Sequence, residues 1–418
     1  MTFKIITLGC KVNGYESNAI REQFIAEGFS ESKEPDIVLI NTCSVTAVAD
    51  QKSRQHIRKY VREFPNAIVI VMGCYSQKNA KYILENCGAH IILGTSGRNT
   101  VMQCLKKYIS TKVKIINIDN NVRNLEYEDF GVVALPKSTR AYVKIQDGCN
   151  NFCSYCTIPY SRGQSRSRNK KSILNEIKVL VENGYKEIVI TGIHTAHYGL
   201  DIHERFSDLM EDILNIPNLY RVRVSSIEES EIDDHFIKLL SSYDNIANHL
   251  HMPLQSGSPT VLKRMHRKYA VSDFLDKVKR IREVKPDIAL TTDVIVGFPG
   301  ETEEEFQETI NFIKEVGFSE LHVFPFSARE GTIAASLPDK VDERIKAQRV
   351  QTLIELSDKL HKEYASRFVG QKVEVILEER NRQTHLLSGF TSNYLKVSLD
   401  LPDEFKGKVF ETTYETIE

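Results

Sequence analysis

Long hydrophobic runs are missing from this sequence. No apolar stretch in its 418 residues approaches the ~18 that a membrane-spanning helix requires, which excludes such a helix and a membrane partner. An excess of charge of either sign is missing too, with 55 Lys and Arg against 56 Asp and Glu. A globally polybasic or polyacidic chain is ruled out, while local patches remain open. No short-period repeat and no low-complexity tract interrupts the chain. The start, MTFKIITLGC, runs from Met straight into a strand-like segment, without a basic region followed by an apolar one. No secretory signal is therefore expected. The eight Cys are expected in a reducing cytoplasm, where metal binding or catalysis outranks disulfides. Hydrophobic residues make up 41%, enough to bury a substantial core, and the length suggests two or three domains.

The chain divides by rhythm. Residues 1–115 alternate short apolar runs (FKIITLG, DIVLIN, AIVIVMG, HIILG) with amphipathic stretches, the pattern of an open parallel α/β sheet covered by helices. Residues 116–139, rich in Asn, Asp and Glu and carrying Pro136, read as a linker. From 140 to 366 the alternation resumes with six strand candidates, which fits a partial (βα)6 barrel, and 341–367 read as one long helix. The tail, 367–418, turns to strand patterns alone and predicts a small β-barrel that must dock on the rest.

Two groups of cysteines carry chemistry. DGCNNFCSYC places Cys149, Cys153 and Cys156 within eight residues, at the carboxyl end of the first barrel strand. Parallel α/β folds put active sites at that end. Three thiolates hold one face of an iron–sulfur cube and leave one iron open to a small molecule. The competing reading is zinc with a fourth ligand from His194 or His249. Cys10, Cys43 and Cys74 are spaced by about one βα unit, and each follows a predicted strand: ITLGC, LINTC, VMGC. Parallel strands bring such positions to one sheet edge, so these three should converge on a second cluster. The alternative is three buried small apolar residues, the reading given to Cys87 and Cys104 inside helical patterns.

The run around Cys149, with Tyr155 before the last Cys, resembles the radical S-adenosylmethionine (SAM) superfamily. Over the whole chain, TLGCKVNGYES, NTCSVT, MGCYSQ, PYSRGQSRSR, HMPLQSGS, DVIVGFPGET and FPFSAREGT resemble the motifs of the methylthiotransferases. GQKVEVILEE and GFTSNYLKV resemble that family's C-terminal TRAM domain, an RNA-binding type. TLGCKVN with YES, and TGIHTAHYG, are most similar to the tRNA threonylcarbamoyladenosine branch. The resemblance implies two 4Fe–4S clusters, SAM, and replacement of the C2 hydrogen of N6-threonylcarbamoyladenosine at tRNA position 37 by a methylthio group. Two SAM molecules would be used per turnover, one as methyl donor and one as source of a 5′-deoxyadenosyl radical. It also implies a tRNA anticodon stem-loop as partner and a low-potential electron donor of flavodoxin or ferredoxin type; a cytoplasmic monomer is expected. Competing readings are the same chemistry on N6-isopentenyladenosine or on a ribosomal-protein aspartate, a two-cluster electron carrier, and a plain tRNA-binding module.

Further candidates follow from position. The superfamily's Gly-Gly-Glu is replaced here by Thr191-Gly192-Ile193-His194, so Gly192 and His194 stand where the SAM amino end is expected, and which group holds that end stays open. Ser226 and Glu228 end a barrel strand on the active face, and Gln255 follows another; all three are SAM candidates. His249 and His251, two apart on a strand, read as polar barrel lining, with a metal pair as the alternative. Residues 137–171 hold Lys137, Arg140, Lys144, Arg162, Arg166, Arg168, Lys170 and Lys171 against Asp147 alone. This predicts a phosphate-binding patch, with Arg162, Arg166 and Arg168 as substrate or RNA contacts. Residues 367–418 carry seven Lys and Arg against nine Asp and Glu, so any RNA contact there needs a local patch. Arg380, Arg382 and Lys396, with Phe390 and Tyr394 as stacking platforms, are the candidates.

Overall fold

The computed structural model describes residues 1–134 and 139–415. Leu135–Ser138, which include Pro136 and Lys137, and the last three residues lie outside the described residues.

The N-terminal unit is a six-stranded, all-parallel sheet. Its strands are β1 (Thr2–Thr7), β2 (Ser30–Glu31), β3 (Ile37–Thr42), β4 (Ile68–Gly73), β5 (Ile91–Leu93) and β6 (Ile115–Asn117), in the spatial order β2-β1-β3-β4-β5-β6. Central β3, IVLINT, is buried along its whole length, which is why its sequence shows a continuous apolar run instead of alternation. Helices α1 (Lys11–Ala26), α2 (Ala47–Glu63), α3 (Cys74–Asn86) and α4 (Val101–Thr111) cover the sheet, with separate apolar clusters on its two faces. Two-residue β2 is too short to show in the sequence pattern, and β6 carries the sheet to Asn117.

The central unit has six parallel strands in chain order: β7 (Arg140–Lys144), β10 (Glu187–Thr191), β11 (Arg221–Val224), β12 (His249–His251), β13 (Ala289–Val296) and β14 (Glu320–Pro325). Between β7 and β10 lies a short antiparallel pair, β8 (Gln146–Asp147) and β9 (Arg166–Ser167). A single parallel bridge, Val222 to Ile246, closes the seam between β11 and β12. The predicted partial (βα)6 barrel is thus observed, with its helices on the outside. Ala141, Val143, Ile188, Ile190, Val222 and Val224 face those helices and form the main core.

The opposite strand faces carry charge. Glu187 sits among Arg140 at 3.5 Å, Arg221 at 3.2 Å and Arg223 at 3.0 Å. Burial alone would raise its pKa, but Arg223 and Arg140 outweigh it and bring the carboxyl down to about 2. Because the folded pKa is depressed, this stabilisation is present above pH ~4.5 and is lost as pH falls toward about 2. Replacing one partner of such a buried group strands the others, so Glu187→Gln should cost about 3–5 kcal/mol in denaturant unfolding. An unchanged unfolding midpoint would show that the three arginines find other partners.

After the long helix Glu343–Ser366 comes an antiparallel sheet of β15 (Lys372–Arg380), β16 (Leu387–Thr391), β17 (Lys396–Leu399) and β18 (Val409–Thr413), in the order β17-β16-β15-β18. The small β-barrel expected takes the form of a half-barrel: among the described residues β17 and β18 remain unjoined edges. It docks under the barrel. Arg221 donates to the carbonyl of Phe390, Arg223 to those of Thr391 and Ser392, and Arg140 pairs with Glu378. Among the described residues no helix is long and apolar enough to cross a membrane.

Candidate functional site

The loop holding Cys149, Cys153 and Cys156 is pinned at both ends. Antiparallel β8 and β9 pair Gln146 with Ser167 and Asp147 with Arg166, so the chain leaves and returns at one place. The Cys149 N–H donates to the carbonyl of Gly163 at 3.0 Å. Gly148 adopts φ +74, and a Cβ there would lie 1.9 Å from the carbonyl oxygen of Gln164, so only glycine fits. Helix α5 (Ile158–Arg162) starts two residues after Cys156.

The sulfur atoms are met by donors. The Asn151 N–H lies 3.5 Å from Cys149 Sγ, the Ile158 N–H 3.4 Å from Cys156 Sγ, and Arg267 Nη1 3.6 Å from Cys153 Sγ. Burial pushes the Cys156 thiol up to about 12 and raises Cys153 as well, so both thiols keep their protons until a cation displaces them. All three cysteines are free and line one cavity of about 200 Å3. Tyr155, His194, Ser226, Glu228 and Gln255 line it with them, and Gly192 lies two residues before His194. Three thiols with N–H donors aimed at sulfur, beside an Arg267 guanidinium whose Nη2 and Nε have no hydrogen-bond partner among the described residues, suit an iron–sulfur cube with an anionic ligand at its open corner.

The zinc alternative weakens here. His249 is far down the barrel, bonded to Thr291 at 3.0 Å and stacked on Tyr394. His194 Nδ1 is 3.5 Å from Cys149 Sγ, but its Nε2 is held by Glu231 at 2.5 Å. Burial alone would lower its pKa, yet the Cys149 sulfur and Glu231 raise it to about 10. His197 stacks on His194 at 3.5 Å and shares Glu231. Sequence reasoning missed Asn151, Glu231 and Arg267. Asn151 lies within the cysteine motif, whereas Arg267 sits in an ordinary basic run, MHRKY, that gives no local signal.

Cys10, Cys43 and Cys74 follow β1, β3 and β4, three adjacent strands of one sheet, and their thiols feel one another's charge. Gly9, at φ +96, makes the approach possible, since a Cβ there would lie 2.8 Å from Cys43 Sγ. Burial pushes the Cys43 thiol up to about 11. Cys87 and Cys104 stand apart from both trios, buried in the apolar clusters of the sheet.

The two trios face each other across the domain joint. Arg162, which ends α5, donates from Nε to Cys74 Sγ at 3.3 Å. Its other nitrogens reach Glu16 at 2.8 Å, Asn13 at 2.9 Å and Asp147 at 3.1 Å. Lys144 joins Glu16 at 2.8 Å and Asp147 at 2.6 Å; Arg98 also binds Glu16, and Arg166 sits 3.1 Å from Asp147. This overturns the expected phosphate patch. Arg162 and Arg168 are fully buried and Arg166 nearly so; Arg168 is bound by Glu176 and, at 2.9 Å, by Asp129. Their charge is spent inside the protein, on carboxylates from distant segments. The tail platform is likewise engaged. Phe390 and Tyr394 stack on each other at 4.8 Å, Tyr394 stacks on His249 at 4.7 Å, and Arg140 and Arg223 lie over the rings. Both aromatics are half-buried against the barrel floor and also line a recess of about 460 Å3 with His361 and Lys396. Arg380 is tied to Asp403 and to the carbonyl of Leu401.

Beside the joint is a recess of about 710 Å3 lined by Asp50, Lys78, Tyr160 and Arg329 among others. Burial and the nearby Arg329 guanidinium lower the pKa of Lys78, which lines this recess.

The sequence matches the Radical SAM superfamily over residues 143–313, and the family described as Uncharacterized protein family UPF0004 over residues 2–94. It is similar to the threonylcarbamoyladenosine tRNA methylthiotransferase MtaB of Bacillus subtilis (strain 168), at 46% identity over 96% of this chain and 91% of that protein. It is also similar to the tRNA-2-methylthio-N(6)-dimethylallyladenosine synthase of Bacillus cereus (strain AH187), at 34% identity over 97% of this chain and 82% of that protein. Among solved structures, the radical S-adenosylmethionine methyltransferase TsrM from Kitasatospora setae superposes with a TM-score of 0.61, over 80% of this chain and 74% of that one. At 15% identity that likeness speaks for the fold alone.

Proposed function

The chain belongs to the radical SAM methylthiotransferases, and on that premise we propose that it places a methylthio group on C2 of N6-threonylcarbamoyladenosine beside the tRNA anticodon. The observation that carries this reading is the pair of three-cysteine sites at one joint, where Arg162, which ends the helix after the Cys149–Cys156 loop, donates to Cys74 Sγ at 3.3 Å. Cys149, Cys153 and Cys156 would hold the cluster that binds SAM, and Cys10, Cys43 and Cys74 a second one. The first would supply the electron for cleavage of SAM into methionine and a 5′-deoxyadenosyl radical, and the second would supply a sulfur for methylation by a further SAM, with release of S-adenosylhomocysteine.

The protein's own groups do the positioning. Glu228 is held by Arg267 at 2.9 Å and by Asn151 at 3.3 Å, so its carboxylate is fixed at the cavity wall, ready for the ribose hydroxyls or amino group of SAM. His194, protonated and clamped by Glu231, directs an N–H at Cys149. The buried Glu16–Arg162–Asp147 lattice fixes the distance between the trios. A low-potential flavodoxin or ferredoxin type of donor would deliver the electrons.

The reading is tested with reduced, iron-reconstituted protein, SAM, and anticodon stem-loops bearing threonylcarbamoyladenosine, isopentenyladenosine or plain adenosine. Mass spectrometry should find methylthio product from the first only. Comparable conversion of the isopentenyl RNA would overturn the substrate assignment and leave the chemistry standing.

A further inference from the structure

The Cys149–Cys156 loop holds two aromatic residues, and they point opposite ways. Tyr155 turns inward, half-buried, with its ring set edge-on to Phe298 at 6.4 Å. Phe152 turns outward and is 48% exposed. Its ring meets that of Tyr160, on α5, edge to face at a centroid distance of 6.0 Å, and Tyr160 is 48% exposed as well. The cavity beside Cys149 takes its wall from Asn151 and Cys153, the neighbours of Phe152, but not from Phe152 or Tyr160. The pair is therefore no part of the SAM side.

This placement is unfavourable for the free protein. Phe152 holds φ at +49, in the left-handed region that a bulky side chain rarely adopts. A ring half in water also forfeits burial that aromatic side chains otherwise gain. Strain and exposed apolar surface persist together where a ligand uses them. A cleft adjoins the pair. Tyr160 lines the recess of about 710 Å3 together with Lys78, Arg329 and Glu330. Arg329 is buried; its Nη2 is held by Ser44 Oγ at 3.0 Å and by Asp50 at 2.6 Å, and its Nε has no hydrogen-bond partner among the described residues. Ser44 follows Cys43, Lys78 lies one helical turn past Cys74, and Tyr160 sits on the helix that follows Cys156. The recess thus opens beside both trios.

We propose that Phe152 and Tyr160 form the platform on which a base flanking the target adenosine stacks when the anticodon loop enters the joint. The inference rests on the function proposed above and names the surface that receives its RNA. A flanking nucleotide is tied to the target by a single phosphodiester, so once the target base is inside the joint its neighbours lie at the mouth. Bases splayed from a single-stranded loop are held by stacking on aromatic rings, which tolerates any base because each has a π-face. The recess offers cations to the connecting phosphate, since Lys78 and Arg329 stand beside Tyr160. An electron-donor protein is the other partner that an exposed patch beside a cluster could take. It fits less well, because a platform leading into a cationic recess suits a single strand better than a broad protein face.

The test uses reconstituted protein and three stem-loop RNAs bearing threonylcarbamoyladenosine: one intact, one abasic on the 5′ side of the target and one abasic on the 3′ side. With wild type, one of the two abasic RNAs should bind about fivefold to a hundredfold more weakly than the intact RNA, the loss expected for one base–aromatic stack. In the double variant Phe152→Ala, Tyr160→Ala the intact RNA should weaken by a similar factor and the difference between intact and abasic RNA should vanish, while Phe152→Tyr with Tyr160→Phe keeps it. Iron content reports whether each variant retains its clusters, and the wild-type comparison needs no variant. Full binding of both abasic RNAs by wild type would overturn the proposal, as would a difference that survives in the double alanine variant. Turnover is also measured with dithionite and with a flavodoxin-type donor. A double variant impaired with the protein donor alone assigns the pair to that donor and overturns the proposal. Product from the intact RNA without an abasic penalty removes the platform only. If wild type makes no methylthio product from the intact RNA, it is the substrate reading that has failed, and this inference falls with it.

Discussion

Protein with Cys149, Cys153 and Cys156 all replaced by alanine is expected to form no 5′-deoxyadenosine from SAM and to retain about four of about eight irons after anaerobic reconstitution. The reason is geometric. The three sulfurs line one cavity with Glu228, Gln255 and His194, so removing them takes away every thiolate on the SAM side. The other trio lies on a separate sheet with its own core. Its iron should therefore survive. Loss of all iron would mean that the sites load as one unit, and unchanged iron would mean that this loop holds none.

Alanine at Cys10, Cys43 and Cys74 should give the converse. SAM cleavage persists, methylthio transfer stops, and iron again falls by half. The cavity beside Cys149 draws no wall from residues 1–115, so its chemistry does not need the first trio. The two regions touch through Arg162, whose Nε–H meets Cys74 Sγ. Losing that single contact leaves the bonds from Arg162 to Glu16, Asn13 and Asp147 in place, so the joint should hold. Undiminished methylthio product in this variant would sink the second cluster.

Both trios were legible in the sequence for different reasons. Cys149, Cys153 and Cys156 lie on one short loop, and a local loop brings them together whatever the rest of the chain does. Cys10, Cys43 and Cys74 are far apart, yet each ends a strand, and parallel pairing alone aligns strand ends. Ser226, Glu228 and Gln255, which line the cavity beside Cys149 from strand ends, were placed there by the same logic.

The arginines show where that logic stops. Within residues 137–171 the only visible anion is Asp147, and the run reads as an exposed patch. The groups that neutralise it lie elsewhere: Glu16 is 146 residues from Arg162. Charge counted along the chain cannot see a partner that folding delivers. Phe390 and Tyr394 show the same limit, since an aromatic in a strand pattern reads equally as a platform for bases or as a contact with another domain, and here the Tyr394 ring stacks on His249.

What the sequence determined by itself is periodic or local. Alternating apolar runs set the parallel sheets, loop spacing grouped Cys149, Cys153 and Cys156, strand ends aligned Cys10, Cys43 and Cys74, and glycines such as Gly148 set turns that no side chain permits. What the tertiary structure decided is where charge ends up. It buried Arg162, Arg166 and Arg168 against acids from other segments and set the tail against the barrel floor. The physical reason is that burial and pairing fix the meaning of a charged side chain, and both depend on segments that meet only after the chain has folded.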